Sequence, residues 1–166
     1  MIPYQSYPTY LVVLNVLEVV AALAVGTIVI GQLGLWAVLG YALVGLLAVV
    51  LCLAFGCTRC YYYGRVCGTG LGKIAALMFK KREEEEFGKS LSQTLSWTLV
   101  GVVLLLPLAA GLVSLWEGFS LPRLLWLAAF LGLMILTVVT HSRSSCKHCQ
   151  EAKERRCTLG RLGKPL

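Results

Sequence analysis

Thiols at repeated spacing are the residues of this chain best suited to do chemistry. The stretch Cys52–Lys73, CLAFGCTRCYYYGRVCGTGLGK, is echoed by His141–Lys164, HSRSSCKHCQEAKERRCTLGRLGK. With Cys57 set on Cys146, both share C-x2-C, a third cysteine six or seven residues on, then C-x2-G and a closing G-K. A C-x2-C pair puts two thiolates on one turn, and a third cysteine can return to the same ion. Cys57, Cys60 and Cys67 form one set, and Cys146, Cys149 and Cys157 the other. The same alignment places Cys52 opposite His141, so each half offers a fourth ligand, and His148 inside the second C-x2-C competes for that role. Acylation of juxtamembrane cysteines needs no fixed spacing and leaves two matched units unexplained.

Zinc is the first choice of ion, because it suits closed S/N tetrahedra in a reducing compartment. Arg59, Arg65, Lys147, Arg155 and Arg156 lie beside these ligands and would offset the negative charge of three or four thiolates. An iron-sulfur cluster is the competing cofactor, although neither set has the familiar ferredoxin spacing. The two segments resemble zinc knuckles in their chemistry, and the resemblance extends no further along the chain. Cys52 and Cys57 are five residues apart and would face different sides of a continuous α-helix. The helix is therefore expected to end near Gly56.

The elements that must position these thiols are apolar. Of 166 residues 58% are hydrophobic and 14% charged, a composition that belongs in a bilayer. Four runs reach the length needed to cross one: Tyr10–Ile30, Leu35–Phe55, Leu95–Trp116 and Leu121–Thr140. They are apolar all round, unlike the one-sided helices of a soluble bundle. The fold class expected is an all-α integral membrane protein, a four-helix bundle of two tandem hairpins, each followed by a cytoplasmic cysteine knuckle. Residues 1–73 form the first unit, 74–93 an interfacial amphipathic segment and charged linker, and 94–166 the second unit. An even number of helices per unit relates the two by an approximate two-fold along the membrane normal and brings both knuckles to one side.

Of the 15 basic residues, seven lie between Cys57 and Lys89 and seven in the tail, which places both segments and both termini on the cytoplasmic face of the cell membrane. Met1–Thr9 has no Lys or Arg, so a cleaved secretory signal is not expected. In reducing cytosol stable disulfides are disfavoured. The net charge of +7 is juxtamembrane, which points to anionic lipid head groups and away from nucleic acid as the partner. Other membrane subunits, or a second copy of the chain, are the remaining partners expected.

Within the first span Asn15 and Glu18 share a helix face, and a carboxylate at that depth must face the bundle, pair or take a proton. Glu18 is thus the best intramembrane functional candidate, and a small transporter using Glu18 and Asn15 is a second alternative function. Small residues at four-residue spacing, Ala22 with Gly26 and Ala128 with Gly132, predict close helix packing. Pro107 predicts a kink. Trp36, Trp116, Trp126 and Tyr61–Tyr63 suit interfacial anchors. Leu71–Arg82 reads as a surface-lying amphipathic segment and Glu83–Glu86 as a solvated run paired to the adjacent lysines and arginine. The glycines of GTGLGK lack the spacing of a phosphate loop, and a tight turn that lets backbone N–H groups reach the thiolates accounts for them. No Asp occurs, only two His are present, and no nucleophile stands beside a candidate base, so the reading leans away from an enzyme and towards a docking or accessory subunit.

Overall fold

The computed structural model describes residues 4–84, 87 and 89–153, and among these the chain is helical with no strand. Four helices are long and apolar enough to cross a membrane. They are α1 (Thr9–Gly31), α2 (Leu35–Leu51), α4 (Leu91–Glu117) and α5 (Leu121–Thr140), with the short α3 (Leu71–Met78) and α6 (Gln150–Lys153) between and after them. The apolar runs dictate these spans because, in hydrocarbon, only a helix satisfies every backbone polar group within its own segment.

α1 touches α2, and α4 touches α5, but the most extensive contacts cross between the halves, α1 with α5 and α2 with α4. These two crossing pairs exchange under a swap of the halves, and α1 meets α4 at the centre. The two halves are therefore interlocked, and neither hairpin provides the main partner of its own helices. Gly26 of α1 sits where a Cβ would come within 3.0 Å of the Pro107 ring and 3.1 Å of Phe130. Ala22 is buried beside it, so this small pair does bring helices together. Ala128 and Gly132 are exposed instead, with nothing near Gly132, so this second small pair faces outwards and packs no helix. α4 runs unbroken through Pro107.

At one end of the bundle the α1–α2 and α4–α5 turns meet. Ser114 donates to Gln32 Oε1 at 2.8 Å, and Arg123 donates to the Ser114 and Gly118 carbonyls at 2.7 and 2.8 Å, capping the end of α4. Trp36 and Trp116 point outwards there, Trp116 being 92% exposed. The other end carries residues 4–8, the described parts of both cysteine segments and α3. On α3, Ile74, Leu77 and Met78 are exposed together with Lys73, as a helix lying on a bilayer requires. Lys81 pairs with Glu84 at 2.6 Å, the local pairing expected of that charged run.

Candidate functional site: a cap of two cysteine turns

The helix leading into each cysteine segment widens before it ends. α2 continues as a π-turn over Cys52–Gly56, in which the Cys57 N–H donates to the Cys52 carbonyl, and then as a 3-10 turn over Cys57–Arg59. α5 does the same, with a π-turn over His141–Ser145 closed by the Cys146 N–H on the His141 carbonyl and a 3-10 turn over Cys146–His148. Cys60 and Cys149 then leave both turns in extended conformation, each N–H bonded at 3.3 Å to the first cysteine of its C-x2-C pair. The start of the internal repeat read from the cysteine spacing is thus a repeat of backbone structure, residues 52–60 matching residues 141–149.

The π-turn corrects the expectation that the helix ends near Gly56. A bond from i to i+5 brings residues five apart onto one side. Cys52 and Cys57 are accordingly side by side, with their thiols hydrogen-bonded to each other. Thr58 and Arg59 help to hold the widened turn, for the Thr58 hydroxyl donates to the Ala54 carbonyl at 2.7 Å and Arg59 donates to the Phe55 carbonyl at 3.1 Å. Arg59 is 5% exposed, and Arg65 lies over the Tyr61 ring.

Cys57 is within electrostatic reach of Cys60 and Cys67. Cys67 accepts the Gly72 N–H at 3.3 Å and lies 3.4 Å from the Thr69 hydroxyl, so a glycine of the GTGLGK turn does bring a backbone donor to a sulfur. Cys60 accepts the Tyr62 N–H. Burial pushes the Cys60 thiol up, against the pull of that N–H, and the Glu151 carboxylate and the thiols of Cys149 and Cys67 add to the rise. Cys60 and Cys149 therefore face each other across the two segments.

The six described cysteines are all free of disulfides. Among the described residues no three His, Cys, Asp or Glu side chains converge as a ready-made metal centre. The described members of the expected sets do not close round a common point: Cys52 and Cys57 bond each other, Cys67 is held by its own loop, and Cys60 turns towards the second segment. Cys157 lies outside the described residues. His148 stacks on Tyr4 with ring centroids 4.5 Å apart, and its Nδ1 is buried without a hydrogen-bond partner among the described residues. His141 lies within electrostatic reach of Glu18.

Residues the spacing argument passed over hold the two segments together. Tyr62 is 2% exposed; its hydroxyl donates to the Tyr4 carbonyl at 2.9 Å and accepts the Gln150 N–H at 3.2 Å. It is an interior clamp, where an interfacial anchor was expected. The Tyr61 N–H donates to Glu151 Oε1 at 2.7 Å. The N-terminal segment is threaded between the turns: the Tyr4 N–H donates to the His148 carbonyl at 3.0 Å, the Tyr7 N–H to the Val66 carbonyl at 2.9 Å, and the Tyr7 hydroxyl to the Ser145 carbonyl at 2.6 Å. Burial, with Cys149 and Tyr62 alongside, pushes the Tyr7 phenol well above its usual range. Asn15 completes the clamp from α1, donating from Nδ2 to the Gly68 carbonyl at 3.0 Å and to the Ser145 hydroxyl at 2.9 Å. A cluster of tyrosines around a C-x2-C unit was the available sequence signal, but it does not say which ring turns inwards. The chain matches no protein-family model, and no curated protein or solved structure is significantly similar to it.

Proposed function

We propose that this multi-pass membrane-helical protein carries a zinc-binding cap on the cytoplasmic side of the cell membrane and serves there as a docking or accessory subunit. The observation that carries the reading is the π-turn, which sets Cys52 beside Cys57 and adds a fourth thiol to Cys57, Cys60 and Cys67. π-turns within α-helices concentrate at functional sites. Backbone N–H groups on the sulfurs of Cys60 and Cys67 are the support that thiolate ligands need when they take up charge. In the second segment Cys146, Cys149 and the unpartnered Nδ1 of His148 are the corresponding donors, with Cys157 completing the set. His141, opposite Cys52 in the repeat, is the competing fourth ligand of that second set. Bound zinc would act structurally, replacing the Cys52–Cys57 hydrogen bond by ligand bonds and tying residues 52–72 into one unit.

The basic residues beside the cap and the apolar face of α3 fit a surface resting on anionic lipid, which leaves the two turns and residues 4–8 to meet a further membrane subunit. Metal analysis of protein purified without chelators tests the reading. Zinc at about one or two ions per chain is expected from the donor sets, with loss of one ion in Cys57→Ser and in Cys60→Ser. A brown protein with visible absorption would move the reading to an iron-sulfur electron carrier. Metal-free protein, or unchanged zinc in both variants, would end it.

A further inference from the structure

α3 has only eight residues, and a helix that short is marginal in water by itself. Its inner side is covered: Gly72 and Ala75 are buried, and α3 packs on the π-turn and the 3-10 turn that end the second span. Its outer side is open and apolar, with Ile74, Leu77 and Met78 at helical spacing and Leu77 88% exposed. Exposed Lys73 lies one turn before Leu77, and exposed Lys80, Lys81 and Arg82 follow the helix. Lys81 holds Glu84 at 2.6 Å, so Lys73, Lys80 and Arg82 are the charges this face offers. The Arg82 guanidinium lies 5.1 Å over the Phe55 ring, and Phe55 belongs to the end of the second span, Leu35–Arg59. The open face therefore stands at the level where hydrocarbon gives way to head groups.

α3 is also tied at both ends to the first cysteine segment. At its start the Gly72 N–H donates to Cys67 Sγ at 3.3 Å, and the Gly72 carbonyl accepts the Gly64 N–H at 3.0 Å. Beyond its end the Tyr63 hydroxyl donates to the Phe79 carbonyl at 2.7 Å, and the Arg82 N–H to the Thr58 carbonyl at 3.0 Å. Thr58 in turn donates to the Ala54 carbonyl at 2.7 Å, inside the π-turn that begins at Cys52. Residues 58–82 thus form a closed lobe, and the order of its cysteine loop depends on α3 staying helical and in place.

We propose that anionic lipid at the bilayer surface is the partner of α3 and that, by holding this helix, it orders the Cys67 loop. Ile74, Leu77 and Met78 enter the boundary between head groups and acyl chains while Lys73, Lys80 and Arg82 meet the anionic groups, the two contributions on which a surface-lying helix depends. Charge of one sign at head-group depth is what favours lipid over a protein partner. The inference rests on the membrane-facing cap described under the proposed function and gives it a regulator. Lipid that orders the loop raises the affinity of the Cys52–Cys67 set for zinc, and zinc raises the affinity for anionic lipid by the same factor.

Hydrogen–deuterium exchange of the full chain, with a chelator present, tests this in two kinds of nanodisc, phosphatidylcholine alone and phosphatidylcholine with phosphatidylserine. The bonded amides of Gly64, Gly70 and Gly72 should exchange about tenfold more slowly in the anionic discs, a factor ordinary for coupled sites. The difference should vanish in high salt and in the double variant Lys73→Gln, Lys80→Gln, and Leu77→Gln should lose protection in both discs. Should the double variant fail to assemble, the salt dependence of the wild type decides the matter. Equal exchange in the two discs, or a difference that survives both salt and the double substitution, overturns the proposal. Protection found in native membranes but in neither disc assigns the face to another subunit and overturns it as well. Because metal is chelated throughout, a failure of the zinc reading is distinguishable: a loop ordered by lipid in a protein that binds no zinc sustains this proposal alone.

Discussion

Replacing Gly72 with alanine would place a Cβ 2.2 Å from the Tyr62 carbonyl oxygen and 2.7 Å from that of Arg65. Both neighbours are backbone, so no side-chain rotation relieves the overlap, and ordinary contact at 3.4 Å requires a shift of about 1 Å. That shift strains the Gly72 N–H bond to Cys67 Sγ and the bond from the Gly64 N–H to the Gly72 carbonyl. Overpacking of a tight site costs about 1–3 kcal/mol, and two hydrogen bonds contribute about 1 kcal/mol each. The expected loss is about 3–5 kcal/mol, concentrated in the cap. Thermal unfolding in detergent, with proteolysis of residues 58–72 as a local probe, measures it. Gly45→Ala is the control: nothing lies within 4 Å of its Cβ, and alanine within a helix is favoured by about 0.5–1 kcal/mol. A Gly72→Ala protein within about 1 kcal/mol of wild type would refute the close approach of the loop to Tyr62 and Arg65.

Tyr62→Phe keeps the ring and removes the hydroxyl that joins Tyr4 to Gln150, so a loss of about 1–3 kcal/mol and faster cleavage within residues 4–8 are expected. Gly26→Ala should cost about 1–3 kcal/mol against Pro107 and Phe130, while Gly132→Ala should be neutral or slightly stabilising, a contrast that paired unfolding curves will show. Because burial raises the Tyr7 phenol above its ordinary value of 10, its contribution to stability is complete below that pH. It falls as the pH rises further, since the unfolded chain then loses a proton the folded one keeps. Tyr7→Phe should flatten that alkaline decline in a pH series of unfolding midpoints.

The spans were legible because hydrocarbon imposes a length: the fourth was read as Leu121–Thr140 and is that, and the first differs by one residue at either end. The start of the repeat was legible because thiol spacing is local, and the backbone repeats over residues 52–60 and 141–149. What composition could not convey is the π-turn. An α-helical period of 3.6 separates Cys52 from Cys57, and only a change of hydrogen-bond register brings them together. Nor could it show that Asn15 would reach Gly68 and Ser145, 53 and 130 residues away, while leaving Glu18 to His141. Small-residue spacing picked out Gly26 and Gly132 alike, and only the crossing of the halves decides which of them meets a neighbour.

The threading of residues 4–8 between the two turns sets a timetable for the molecule's making. Tyr4, Tyr7 and Asn15 leave the ribosome 130 or more residues before Ser145 and His148, which they grip. A nascent chain must hold those donors in reserve until residues 145 and 148 have been made. A chain truncated before residue 141 would display them unmet, a mark by which quality control could distinguish unfinished copies from finished ones.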